Sequence, residues 1–221
     1  MAERQVAQPG WAWAALALAA CAGALIAWPL PPQVLEWQPA LAGSQPWRAC
    51  TAAWVHYSAL HLGANLAGGV LIAALGWAAR VPWTSTLAWL AAWPTLHAVL
   101  LLQPSLQHYG GLSGVWHAGV AVVGVHLLWR RAPRLRWIGG GLLAGLLAKV
   151  ISEAPWAGPL RPAPGWDIAI APLAHASGAG AGVAWALLVE ELARHTRRQV
   201  TSRERDARSP GSRSGGPGSL A

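Results

Sequence analysis

The chain has 221 residues, of which 54% are hydrophobic and only 11% charged, whereas a soluble domain usually carries about a quarter charged residues. That balance excludes an ordinary soluble enzyme and points to an integral membrane protein. A net charge of +8 would suggest a nucleic acid or acidic partner in a soluble chain, but the placement of the basic residues argues against it. Thirteen of the 16 lie at Arg4, at Arg80, in the cluster Arg130, Arg131, Arg134 and Arg136, and in the stretch from Arg194 to Arg213; Arg48, Lys149 and Arg161 are the others.

Crossing a hydrocarbon core about 30 Å thick takes about 20 apolar residues in a helix. Six stretches qualify in chain order: Trp11–Leu30, Ala59–Ala79, Trp83–Leu102, Gly111–Trp129, a shorter Trp137–Ile151, and Ile168–Val189. No stretch alternates with period two, so the expected class is an all-α membrane bundle and not a barrel. Within the first stretch, Leu18 to Cys21 has the form of a lipoprotein processing site. The apolar run continues to Leu30, however, and reads as a full span.

Basic loops prefer the cytoplasm. With both termini inside, the 13 clustered cations are cytoplasmic and Arg48 and Arg161 are outside, while Lys149 near the outer end of span five can snorkel. Residues 1–10 then read as a cytoplasmic N-terminus, 11–190 as the membrane domain, and 191–221 as a basic tail. The tail, Gly/Ser/Pro-rich and polar, is expected to be disordered. Its arginines lack interleaved aromatics, which favours contact with anionic lipid over nucleic acid. Trp occurs 16 times and Phe never; this reads as compositional bias, with individual tryptophans serving as interfacial anchors. The two cysteines make no disulfide framework.

Polar side chains inside a span are costly and mark function. Spans two, four and six run from outside to inside, and each begins with such groups: His61 and Asn65, Ser113 and His117, and His175. A rise of about 1.5 Å per residue puts them in one depth zone near the outer face, which suggests a single hydrated pocket. Ala174, Gly178 and Gly182 form a stripe of small residues on span six, and Gly114 with Ala118 a shorter one on span four; such stripes let helix backbones meet closely.

Ser113 then reads as a nucleophile. Gly111 and Gly114 clear access to it, and a helix starting beside Leu112 offers free backbone N–H groups. An oxyanion could be held by the Ser113 N–H with Asn65 and His61 as further donors. His175 is the expected general base. His117, one turn below Ser113 and leaning back toward it, is the alternative base or a pocket-lining group. No Asp or Glu stands where it could orient His175, so the arrangement reads as a dyad. His56 is expected to brace a loop, and His97 and His126 to satisfy helix partners or, for His126, the inner interface. A metal site of His61, His117 and His175 would lack a carboxylate and any HExxH pair; no metal or other cofactor is expected.

These motifs resemble the rhomboid intramembrane serine proteases. GGLSGV at 110–115 is similar to that family's GxSG nucleophile motif, HLGAN at 61–65 to its HxxxN oxyanion motif, and AHASGAGAG at 174–182 to its AHxxGxxxG base motif. Trp47, Arg48 and His56 fit its first outer loop. The resemblance covers roughly residues 45 to 190. It implies a six-helix rhomboid fold, a Ser113 and His175 dyad, and peptide-bond cleavage at the membrane without metal or nucleotide. The compact core and the histidine after SGVW also look like the rhombosortase subgroup, which implies membrane-anchored substrates with a C-terminal Gly-Gly motif, an apolar helix and basic residues. Two other classes stay open on the residues alone: an inactive rhomboid-like binder of membrane helices, and a small-solute transporter.

Overall fold

The computed structural model describes residues 10–208. Among them every regular element is helical: α1 (Trp11–Ala27), a short α2 (Arg48–Thr51), α3 (Ala59–Ala78), α4 (Trp83–Val99), α5 (Ser113–Leu128), α6 (Pro133–Ser152) and α7 (Pro172–Arg208). Extended pairing is confined to two isolated antiparallel bridges, Trp37 with Tyr109 and Arg161 with Ile170. Four helices are long and apolar enough to cross a membrane, namely α3, α4 with its following turn to Leu102, α6, and α7 as far as Thr196; α1 and α5 are shorter apolar helices. The chain is a multi-pass membrane protein.

Each boundary has a local cause. Proline at positions 29, 31 and 32 prevents α1 from reaching Leu30. Gly111 has φ +129, a conformation no helix contains, so α5 starts two residues later than the apolar run. Pro133 sits in the first turn of α6, where its missing N–H is harmless; span five is therefore 20 residues long, not the short segment expected.

The tail also differs from expectation. α7 continues past Val189 to Arg208, so residues 191–208, expected to be disordered, are helical. Two contacts tie the start of this extension to the end of α5, and a third lies within α7. His126 Nδ1 lies 3.3 Å from Glu190, the Arg194 guanidinium sits 4.0 Å over the Trp129 ring, and Arg194 pairs with Glu191 at 3.8 Å. Residues 1–9 and 209–221, with the remainder of the expected N-terminus and tail, lie outside the described residues.

α5 is the central post. Twelve of its 16 residues are buried, and it packs on α7, α6, α4 and α3. Glycines set the distance to α7: a Cβ on Gly178 would lie 2.1 Å from the Gly114 carbonyl oxygen, and one on Gly182 would lie 2.4 Å from that of Ala118. The small-residue stripes read from the sequence are thus the α5–α7 seam.

The tryptophans are more than anchors. Trp13 and Trp89 are buried and stack at 4.2 Å. Indole N–H groups reach across helices, from Trp13 to the Ile72 carbonyl at 2.8 Å, from Trp89 to that of Val115 at 2.8 Å and from Trp116 to that of Asn65 at 3.0 Å. With no Phe available, the core is filled by rings whose polar edge needs a partner, and the partners are carbonyls of neighbouring helices.

Candidate active site

The outer loop before α3 is built around one buried cation. Arg48 donates from Nη1 to the carbonyls of Gln33 at 2.9 Å and Glu36 at 2.8 Å, and from Nε to Gln45 Oε1 at 2.6 Å. The Glu36 carboxylate in turn accepts from Tyr57 at 3.0 Å. Ser58 caps α3 by accepting from the His61 N–H at 3.0 Å and donates to Asp167 at 2.8 Å, joining this loop to the segment ahead of α7.

Under these loops lies a cavity of about 520 Å³ into which His61, Asn65, Ser113, His117, Lys149 and His175 all open. The three spans singled out in the sequence therefore meet, and the five polar side chains they were expected to bring together line one space. His56 lies behind it. Its Nδ1 donates to the Trp54 carbonyl at 3.2 Å and its ring sits 4.7 Å from that of His61, so it braces the loop. Burial lowers its pKa to about 4, against a smaller opposing effect of that hydrogen bond. His97 donates to the Trp93 carbonyl at 3.0 Å, far from the reacting atoms.

Ser113 Oγ is 2.8 Å from His175 Nε2. On the other side of the ring, Nδ1 is 2.6 Å from Glu153 Oε2. An ionised carboxylate only accepts, so Nδ1 carries the proton and Nε2 is the free acceptor that takes the serine hydroxyl. The sequence reading left His175 without an acidic partner, and the structure supplies one from the end of α6. Signals for it were present: Lys149 and Glu153 are four residues apart at the outer end of span five. The spacing does not say which way the pair turns, since a lysine and a glutamate at a helix end can equally escape to water. Burial alone would raise the Glu153 carboxyl, but the hydrogen bonds and charges of His175 and Lys149 outweigh it and hold the group at about 2.

His117 does not compete for the hydroxyl. Its Nδ1 donates to the Ser113 carbonyl at 2.7 Å, and its ring stacks flat on that of His175, 4.2 Å away and 7° from parallel.

Donors converge near Ser113. α5 begins there without a side-chain cap, and its first N–H groups have no partner within the helix. The Tyr57 N–H approaches His61 Nδ1 at 3.5 Å, which leaves Nε2 as the N–H end of the neutral ring. That atom lies 2.8 Å from where a Cβ on Gly111 would be, so both the φ of Gly111 and this close approach require glycine. Asn65 is buried, lines the cavity and donates to the His61 carbonyl at 3.1 Å. Leu112 is fully buried beneath the turn. Among the described residues, no three His, Cys, Asp or Glu side chains are grouped to hold a metal ion.

Residues 43–191 match the family described as Rhomboid domain. The chain belongs to the rhomboid family. The match spans α2 to α7 up to the Glu190–Glu191 pair, and so contains every side chain of the cavity. No curated protein matches the chain. Rhomboids are intramembrane serine proteases acting on membrane protein substrates, and the Ser113–His175 contact is the part of this rhomboid suited to that chemistry.

Proposed function

We propose that the protein is an intramembrane serine endopeptidase in which Ser113 is the nucleophile and His175 the general base. The observation that carries this is the 2.8 Å Ser113 Oγ to His175 Nε2 hydrogen bond with Nε2 as acceptor. As Oγ attacks a scissile carbonyl carbon, its proton passes to Nε2. The oxyanion is received by the Ser113 N–H, with His61 Nε2–H and the Asn65 amide as additional donors and Gly111 and Leu112 shaping the turn. The C–N bond breaks as Nε2 returns the proton to the leaving amine. Water, or an amine, then attacks the acyl ester with His175 again taking its proton, and as the acyl C–Oγ bond breaks Nε2 returns that proton to Ser113 Oγ.

The reading places six membrane spans, both termini in the cytoplasm, and the cavity toward the periplasmic side of a bacterial inner membrane. α5 needs less than full length because protein, not lipid, surrounds it. The distribution of basic residues supports the orientation. The substrates proposed are membrane-anchored proteins, including those with a C-terminal Gly-Gly motif and apolar helix, as the rhombosortase resemblance implies. A binder or transporter would have no use for a serine proton acceptor.

The test uses purified wild type with Ser113→Ala, His175→Ala and His117→Ala on a model helix carrying Gly-Gly ahead of an apolar segment, together with labelling by a serine-directed fluorophosphonate. Loss of cleavage and labelling in S113A and of cleavage in H175A is expected. Undiminished cleavage by S113A refutes the protease, and loss with H117A but not H175A moves the base to His117.

A further inference from the structure

We propose that Glu153 is a positioning residue for His175, so that this enzyme works with a Ser113–His175–Glu153 triad whose acid comes from α6; the inference rests on the protease reading above. The imidazole bridges the two helices that flank it, with Ser113 Oγ at 2.8 Å on one nitrogen and Glu153 Oε2 at 2.6 Å on the other. Both partners of the acid–imidazole contact are nearly dry, with side-chain exposures of 9% for His175 and 8% for Glu153. At that burial a fixed charge acts with little screening.

Glu153 is itself held at both its carboxylate and its backbone. Lys149, one turn earlier on α6, bonds its other oxygen, Oε1. The Arg161 guanidinium donates to the Glu153 backbone carbonyl at 3.0 Å. Arg161 is in turn paired with Ile170 through two backbone bonds of 2.8 and 2.9 Å, two residues ahead of α7, which carries His175. Directly after Glu153, Ala154 adopts φ +48, a left-handed conformation that is strained for any residue with a Cβ. Strain of this kind persists where the surroundings over-determine the backbone, and here it ends α6 at the residue whose side chain must reach His175.

The arrangement matches what the chemistry needs. Glu153 fixes the tautomer with hydrogen on Nδ1, leaving Nε2 to take the serine proton. When His175 becomes imidazolium, its Nδ1–H donates to the carboxylate and its Nε2–H to the leaving amine. Lys149 keeps Glu153 ionised, so the proton stays on the ring until the amine departs.

A purely structural ion pair between α6 and α7 would predict something else, and three variants separate the two. Glu153→Gln is expected to lower kcat by up to about 10⁴-fold with KM and thermal unfolding temperature close to wild type, and to slow fluorophosphonate labelling in parallel. The acid limb of kcat/KM should move to lower pH, because the imidazolium loses the Glu153 carboxylate bound at Nδ1. Ser113 and His117 from α5, Lys149 from α6 and His61 from α3 still face it. Glu153→Asp should recover part of the rate, and Lys149→Met should cost less than E153Q. Wild-type kcat, labelling and pH profile in E153Q, with S113A and H175A inactive, overturn the triad while leaving the protease intact. So does a loss confined to KM and thermal stability with an unmoved pH limb. Continued cleavage by S113A overturns both.

Discussion

Replacing Gly178 with alanine tests whether the α5–α7 seam sets the reacting distance. The added Cβ would lie 2.1 Å from the Gly114 carbonyl oxygen and 3.2 Å from its Cα, both atoms being backbone that no rotamer change can remove. Relief requires the helices to part by on the order of 1 Å before ordinary packing distances return. Gly178 lies three residues below His175 and Gly114 directly follows Ser113, so the opening falls on the 2.8 Å hydrogen bond between them. A bond lengthened by that amount leaves the range in which a hydroxyl proton is shared. The expected result is a kcat about 100-fold lower, a similar slowing of fluorophosphonate labelling, and a stability loss of about 1–3 kcal/mol from overpacking. Gly180→Ala is the matched control: it lies on the same helix, and nothing is within 4 Å of its added Cβ. G180A should label at the wild-type rate and unfold no earlier. Equal labelling rates for G178A and G180A would refute the argument that glycine at this seam sets the catalytic distance.

Three further outcomes follow from other parts of the molecule. Arg48→Ala strips the donors from the Gln33 carbonyl and the buried Glu36 carbonyl, so limited proteolysis should cut between residues 28 and 58 far faster than in wild type, with a stability loss of about 1–3 kcal/mol. Trp89→Phe deletes the indole bond to the Val115 carbonyl and part of the ring stacked on Trp13; thermal unfolding in detergent should show a loss of about 1–3 kcal/mol, while S113 labelling of the folded fraction persists. His56 is neutral in the fold, with its pKa lowered from 6.5 to about 4, so the unfolded chain binds the extra proton. Its contribution to stability is whole above about pH 6.5 and falls as pH drops toward 4; His56→Gln should flatten that acid-side decline in a pH series of unfolding temperatures.

The parts of this protein that could be read from the sequence are those governed by periodicity and by helix depth. Apolar length located the helices, and the residue classes at positions 114, 118, 174, 178 and 182 identified the faces that meet, because only small residues permit such contact. The helix ends were less legible where a single residue decides them. Gly111, at the head of its apolar run, has a positive φ that delays α5 to Ser113, and Pro133 begins α6 four residues before the apolar stretch does. The tryptophans were undervalued because composition records how many there are and says nothing of the carbonyls opposite each indole.

Glu153 was illegible for a different reason. Depth reasoning assigns polar groups to a pocket by the span they occupy, and it treats a lysine and a glutamate at a helix end as side chains that escape to water. Which way they turn depends on the chain that follows, and here that chain is held back. Ala154 reverses the backbone, Arg161 grips the carbonyl behind the turn, and the Arg161–Ile170 bridge returns the strand to the top of α7. The acid thus points inward at the start of a loop of 19 residues, 153–171, that closes on itself. If that closure positions Glu153, Arg161→Ala should reproduce part of the E153Q phenotype without touching the carboxylate. A slower kcat is expected, with partial rescue when Ala154→Gly removes the strain of the turn. Wild-type turnover in R161A would mean that Lys149 and His175 alone suffice to hold the acid in place.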